Sequence, residues 1–116
     1  MRPESAKLLQ DALIAADASQ RFVHGFDFDT YLASELVRSA VERQAEIVGE
    51  ALGRLRQADA ATARRIPELP RVVALRNLLI HGNAGVDDRI VWGTVEGKLP
   101  ALRAALETLL AEETDG

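Results

Sequence analysis

The placement of proline is the feature of this 116-residue chain that most limits its fold. Proline occurs only at positions 3, 67, 70 and 100. Because proline removes a backbone N–H and clashes with the preceding turn, the long interval between Pro3 and Pro67 is where helices are least interrupted, and residues 4–64 can be mostly helical. One break is expected there, near Gly25, since glycine weakens a helix. The chain is therefore predicted to begin with a long, mostly helical segment.

The composition favours the same fold class. Alanine (19) and leucine (16) supply 35 of the 116 residues, whereas only five residues are aromatic. Helices pack well with Ala and Leu, and sheets are richer in aromatic and β-branched residues. The sequence predicts an all-α helical bundle in one domain spanning residues 1–116. It contains four to five helices, depending on whether the last two form one bent unit.

Apolar residues at three- and four-residue spacing place the predicted helices. The expected segments are 5–23, 29–57, 71–81, a helix capped by Asp87 and a last helix with Pro100 in its first turn. Gly82 is expected to end the third helix. Gly49 and Gly53 lie one turn apart inside the second, where each glycine costs roughly 1 kcal/mol relative to alanine. We therefore expect a close approach of a neighbouring helix at both glycines.

Four of the five aromatic residues fall within residues 22–31. Asp27 or Asp29 is expected to cap the helix that follows, and the rings to close one end of the bundle. Tyr31 is interpreted as a packing residue. Trp92 is expected in the core because apolar residues surround it, and His24 is assigned a structural role.

The charge distribution limits which partners are possible. The formal net charge is −4, which excludes a protein that coats nucleic acid by bulk electrostatics. Residues 38–76 nevertheless hold eight arginines against five acidic residues, a net charge of +3, so the rest of the chain carries −7. Cysteine is absent and only two histidines occur, so we expect neither a metal site nor a cofactor.

No membrane-spanning or targeting segment is expected. The longest uncharged stretches are short, and one of them, residues 77–86, contains Asn, His and Gly. Charged residues, among them Glu4, Lys7 and Asp11, interrupt any signal window at the N-terminus. We expect a cytoplasmic protein.

One short stretch, residues 76–83, combines a cation, an amide and a titratable ring. Imidazole suits proton transfer near neutral pH, and guanidinium suits a phosphate clamp, so Arg76 and His81 are candidate catalytic residues for phosphodiester chemistry. Residues five apart on a helix point about 140° away from each other, whereas Asn77 and His81 share a face. Arg76 must therefore reach round the helix or act across a partner chain. From the spacing alone, a surface or capping role for His81 stays open.

Three stretches together resemble the HepT-like branch of the HEPN superfamily. The segment 41–51 resembles a stretch of the family's second helix, and Arg76-Asn-x-x-x-His81-Gly82 resembles its Arg-x4-6-His motif. The segment 86–92, followed by Leu-Pro-x-Leu at 99–102, resembles its C-terminal signature. The resemblance covers about residues 5 to 112 in order, so it does not depend on the short motif.

The resemblance implies a HEPN-like, up-and-down bundle that forms a homodimer, in which two Arg-x4-His motifs meet in one cleft and cut RNA without metal. It implies the toxin of a toxin–antitoxin pair, neutralised by an MntA-like nucleotidyltransferase that attaches AMP to a tyrosine two residues after the histidine. Asn83 occupies that position here, so no modified residue is assigned. Tyr31, the single tyrosine of the chain, is the other candidate acceptor of AMP.

Three further side chains are assigned supporting roles. Asn77 is expected to orient His81 or to hold phosphate. Glu42 and Glu46 share a helix face with Glu50; that face is either a solvated stripe or, if it points inward, a means of positioning Arg76. Two other functions stay open: a non-catalytic HEPN subunit that partners a nucleotidyltransferase, which the missing tyrosine favours, and a purely structural helical bundle.

Overall fold

The all-α prediction is confirmed. The structure, a computed structural model, describes residues 1–82 and 85–115, with side chains described as far as residue 113. These residues form seven helices and no strand. The helices are α1 (Pro3–Val23), α2 (Phe28–Ala33), α3 (Glu35–Ala58), α4 (Ala60–Ala63), α5 (Leu69–His81), α6 (Asp88–Gly97) and α7 (Leu99–Asp115).

Helix α3 lies at the centre of the bundle. It packs against α1 on one side and α5 on the other, while α7 packs against α1 and α6. Large side chains from these helices are fully buried in one continuous core, among them Leu9, Leu52, Leu55, Leu102 and Leu106. Within the described part of the chain, no helix is both long and apolar enough to cross a membrane.

The predicted second helix, 29–57, is wrong in one respect, because the structure divides it at Ser34. This residue has extended backbone angles (φ −107°, ψ 97°) and is both the C-terminal cap of α2 and the N-terminal cap of α3. Its hydroxyl accepts a hydrogen bond from the backbone N–H of Val37 at 3.2 Å. Serine competes with helical backbone bonds in this way, so the break follows from a residue that apolar periodicity ignores.

A second short helix, α4, was not expected in the connection before α5. Asp59 caps it by accepting hydrogen bonds from the hydroxyl of Thr62 at 2.7 Å and from its backbone N–H at 3.2 Å. The buried hydroxyl of Ser5 in α1 donates a third bond to Asp59, at 2.7 Å. These bonds, those from Thr62 foremost, lower the pKa of Asp59 to about 2. The two short helices, α2 and α4, raise the number of helices from the predicted four or five to seven.

The predicted caps and ends of the other helices are confirmed. Asp27 caps α2 through a reciprocal pair of bonds with Thr30, and Asp87 caps α6 by accepting from the backbone N–H of Arg89 at 2.9 Å. Gly82 ends α5, and Pro100 lies in the first turn of α7.

Tyr31 is fully buried, which confirms its packing role. Its ring lies 5.1 Å from that of Trp92, which also contacts Phe28 with ring centroids 6.4 Å apart. Trp92 is only partly buried and lies against the core rather than within it. Burial, with smaller contributions from nearby carboxylates, raises the pKa of Tyr31 to about 12.

Candidate active site

The site begins with an unusually close contact between α3 and α5. A Cβ atom added at Gly49 would lie 2.2 Å from the Cβ of Arg76 and 2.9 Å from the carbonyl oxygen of Val72. Only glycine lets α5 approach this closely, so the predicted close approach is confirmed at Gly49. At Gly53 it is wrong, because nothing lies within 4 Å of an added Cβ.

The open space at Gly53 belongs to a cavity of about 400 Å³ between α3 and α5. We call this the Arg76 cavity. Its lining includes Gly49 and Gly53, the Glu50 carboxylate, the guanidinium groups of Arg54, Arg56 and Arg76, and the Asn77 amide. Glu50 is paired within the wall, with 3.3 Å between its Oε1 and Nη2 of Arg54. Because three arginines and only one glutamate line this cavity, its charge favours binding of an anion.

The guanidinium of Arg76 donates only one hydrogen bond to the described residues. Its Nη1 donates a hydrogen bond to Oδ1 of Asn77 at 3.2 Å, while its Nε is buried and has no hydrogen-bond partner among the described residues. No carboxylate of the described residues forms an ion pair with it. Because Nε is enclosed by protein atoms, a phosphate in the cavity would be bound through the outer guanidinium nitrogens, whose charge no described carboxylate neutralises.

His81 ends α5 with an exposed side chain. It lines a second, mostly apolar cavity of about 470 Å³ together with Asn77, Leu78 and Gly82, which we call the His81 cavity. Arg76 is not part of that lining, but Asn77 lines both cavities. A single chain thus places the two candidate catalytic side chains in adjoining cavities, with the Asn77 amide between them.

The polar contacts of Glu42 and Glu46 do not include Arg76. Burial raises the pKa of Glu42, the charge of Asp88 raises it further, and Arg38 partly offsets both. Oε2 of Glu46 lies 3.9 Å from Nη1 of Arg43. Neither glutamate forms an ion pair with Arg76, so their positioning of that residue stays a prediction.

Two other candidates concern modification and metal binding. Asn83, at the position of the family tyrosine, lies outside the described residues. Tyr31, the alternative acceptor of AMP, is buried with its hydroxyl enclosed, so it is not accessible to another enzyme. Among the described residues, no group of three or more His, Asp or Glu side chains is arranged to hold a metal ion.

Sequence reasoning did not single out Arg54 and Arg56 from the basic segment 38–76. A signal was present in the spacing: Arg56 follows Gly49 by seven residues, two helical turns, and therefore lies on the same face of α3. A helix face that carries both glycine and arginine allows a neighbouring helix to approach closely beside a positive charge.

Comparison with known proteins shows which proteins this chain is similar to. The profile of the family described as ribonuclease HepT-like matches residues 12–109. A protein of Thermococcus cleftensis named "Probable ribonuclease HepT" is 31% identical over 111 residues, which cover 94% of this chain and 98% of that protein. A protein of Methanocaldococcus jannaschii whose name also describes an RNase is 31% identical over 101 residues, 85% of this chain and 90% of its own.

The chain belongs to the HepT-like ribonuclease family. Comparison with solved structures gives no significant match. The family profile includes Gly49, Arg76, Asn77 and His81 within its matched range. The main features of the site in this HepT-like protein thus fall inside the region that defines the family.

Proposed function

We propose that this HepT-like protein is the toxin of a toxin–antitoxin system, a metal-independent endoribonuclease with a composite active site in a homodimer. The observation that carries the proposal is the guanidinium of Arg76, which forms no ion pair with a described carboxylate, in a cavity that Arg54 and Arg56 also line. That cavity adjoins the exposed imidazole of His81 through Asn77. Anion binding and proton transfer are the two capacities that RNA cleavage needs.

The reaction we propose is an internal phosphoryl transfer. The ribose 2′ oxygen attacks phosphorus, the bond from phosphorus to the 5′ oxygen breaks, and a 2′,3′-cyclic phosphate forms. One imidazole takes the 2′ proton and a second gives a proton to the departing 5′ oxygen. Arg76 stabilises the charge that develops on the phosphoryl oxygens, and Asn77 holds the guanidinium in place.

The need for two imidazoles favours a homodimer. The described residues contain His24 and His81, and only His81 adjoins the Arg76 cavity. The surface of α5 around it is open and mostly apolar, and Leu78, three residues before His81, is 47% exposed. An exposed apolar surface beside an incomplete site favours association of two α5 faces. A second chain would bring its own Arg76 and His81 to the same cleft.

The first test is cleavage of a 5′-labelled RNA by the purified protein in the presence of EDTA. We expect products that end in a 2′,3′-cyclic phosphate. The His81→Ala variant should lose about 10²- to 10⁴-fold in rate, because it lacks the acid and base. His24→Ala is the matched control, since His24 is exposed at the end of α1. Equal cleavage by wild type and His81→Ala would contradict the proposal.

The composite site is tested by mixing wild type with the inactive His81→Ala variant. If one cleft needs the imidazoles of both chains, a mixed dimer is inactive, so the cleavage rate should fall with the square of the wild-type fraction. A rate that falls in simple proportion to the wild-type fraction, with subunit exchange shown by native mass spectrometry, would place a complete site in each chain.

We propose an MntA-like nucleotidyltransferase as the antitoxin. Because Asn83 replaces the tyrosine that accepts AMP, inhibition is expected to depend on binding rather than modification. Co-expression with a nucleotidyltransferase encoded beside this gene should relieve toxicity while the toxin's mass stays unmodified. A protein that co-purifies with this partner but never cleaves RNA would instead support the alternative, a non-catalytic HEPN subunit, which the missing tyrosine favours.

A further inference from the structure

A third cavity, beside the Arg76 cavity, combines apolar residues with arginine. It measures about 440 Å³ and lies where α4 leads into α5. Its floor is formed by the buried side chains of Ile66 and Leu69, and Pro67 and Pro70 line it as exposed residues. The guanidinium-bearing residues Arg56 and Arg64 complete the lining. We call this the Pro67 pocket.

The two arginines of the Pro67 pocket are free of carboxylates. Neither Arg56 nor Arg64 forms an ion pair or a side-chain hydrogen bond among the described residues. By contrast, the adjacent Arg65 makes a bidentate pair with Glu112, with distances of 2.9 and 2.7 Å. Two unpaired arginines beside an apolar pocket favour an anionic ligand with a flat apolar part.

The pocket shares one lining residue with the active site, because Arg56 lines both the Pro67 pocket and the Arg76 cavity. Pro70 and Arg76 lie six residues apart on α5, a rise of about 9 Å along the helix axis and a turn of about 120° around it. A strand that follows Arg56 around α5 can therefore present one phosphate to Arg76 and place a further nucleotide at the Pro67 pocket.

We propose that the Pro67 pocket binds a base of the RNA strand being cut, with Arg56 and Arg64 holding the adjoining phosphates. This inference rests on the proposed ribonuclease function and adds a subsite to it. The apolar floor contacts the face of the base, which tolerates different bases, and the arginines contact the backbone. The strand thus runs from the His81 cavity through the Arg76 cavity to the Pro67 pocket.

The test uses two RNA probes with the full-length protein. Binding is measured by fluorescence anisotropy with a labelled, 2′-O-methylated decauridylate, which cannot be cut, and cleavage with the dinucleotide UpU, whose only phosphate is the one to be cut and which therefore offers no adjoining phosphate to Arg64. Arg64→Gln should weaken decauridylate binding about 3- to 10-fold and reduce the dependence of log K on log salt by about 1. It should leave UpU cleavage unchanged. Arg65→Gln, which removes a cation paired outside the pocket, should change neither value by more than about twofold.

A second variant tests the apolar floor separately. Ala60 lines the pocket and is exposed, so Ala60→Leu can fill the space without disturbing the core. Decauridylates with a single abasic site should bind more weakly only when that site falls at one or two positions. In Ala60→Leu this position-dependent penalty should disappear. Circular dichroism melting curves confirm that the variants are folded.

The possible results distinguish failure of the pocket proposal from failure of the ribonuclease proposal. If wild type cleaves UpU but Arg64→Gln and Ala60→Leu bind decauridylate as wild type does, the pocket proposal is overturned and the ribonuclease stands. If wild type cleaves no RNA yet the two variants lose decauridylate affinity, the pocket stands and the catalytic proposal fails. If Arg64→Gln instead loses only a co-expressed protein partner, the pocket serves protein binding and the RNA proposal is wrong.

Discussion

Two grooves of nearly equal size lie on opposite sides of α3, and they differ in charge. The groove between α1 and α3 measures about 380 Å³ and the Arg76 cavity between α3 and α5 about 400 Å³. The first is lined by apolar side chains such as Ile14, with two carboxylates, Asp11 and Glu50, against one guanidinium. The second has three guanidinium groups against one carboxylate. Size does not distinguish these grooves, whereas charge does.

The polar groups of the two grooves also differ in how well they are satisfied. In the α1–α3 groove, the carboxylate of Asp11 is paired with Lys7 at 3.2 Å and Arg54 is paired with Glu50. In the Arg76 cavity, neither Arg56 nor Arg76 forms an ion pair with a described carboxylate. Arginines whose charge is not neutralised favour an anionic ligand, which the paired groups of the α1–α3 groove do not.

The largest expected difference between the grooves is in catalysis. Arg76→Gln should reduce RNA cleavage about 10²- to 10³-fold, because a neutral amide cannot stabilise the charge on the phosphoryl group as guanidinium does. Ile14→Ser, on the α1–α3 groove, should leave the cleavage rate within about twofold of wild type, since Ile14 is 59% exposed. Single-turnover kinetics with labelled RNA measure both. Equal loss in the two variants would show that the charge difference does not locate the active site.

The next largest effect tests how α5 is held against α3. Gly49→Ala should destabilise the protein by about 1 to 3 kcal/mol, because its Cβ would overlap the Cβ of Arg76 and the Val72 carbonyl. Gly53→Ala, one turn away, meets nothing and should stabilise the helix by up to about 1 kcal/mol. Urea unfolding followed by circular dichroism measures the difference. Two similar changes would mean that α5 shifts easily and that the contact does not fix Arg76.

These two glycines also show how far the sequence could predict the structure. Helix positions followed from apolar periodicity, and Arg76, Asn77 and His81 from side-chain chemistry together with the family motif. Which glycine a neighbour approaches depends on the rotation of α3 against α5, which periodicity defines only to within a helix face. The Pro67 pocket was hidden for the same reason, since it depends on how the connection containing α4 folds back on α3.

A third prediction concerns the side of α3 that faces α1, where polar contacts serve stability. Asp59→Ala should lower the melting temperature at pH 7, because it removes the bonds from Ser5 and Thr62. The pKa of Asp59 is about 2 in the folded protein, below its ordinary value near 3.8, so its stabilisation is complete above about pH 4 and declines as the pH falls toward 2. The difference in melting temperature between wild type and variant should narrow over that range.

RNA cleavage by Asp59→Ala should be unchanged, in contrast to its melting temperature. At 25 °C, where the variant is still folded, its cleavage rate should match that of wild type, since Asp59 lines neither the Arg76 cavity nor the His81 cavity. A variant that loses cleavage while remaining folded would extend the active site to the α1 side of α3 and remove the distinction between the two grooves.

The smallest effect is expected at Glu50, which lines both grooves. Glu50→Gln removes one negative charge from each and releases Arg54, whose Nη2 lies 3.3 Å from the carboxylate. Because exposed ion pairs contribute about 0 to 1 kcal/mol, stability should change little. Affinity for a non-cleavable decauridylate should rise about 2- to 5-fold, with a steeper dependence on salt, since Arg54 becomes available to a phosphate. Glu112→Gln is the matched control, because it releases Arg65 away from both grooves. Tighter binding in both variants would mean that net charge alone attracts RNA, whereas tighter binding only in Glu50→Gln would locate the RNA between α3 and α5.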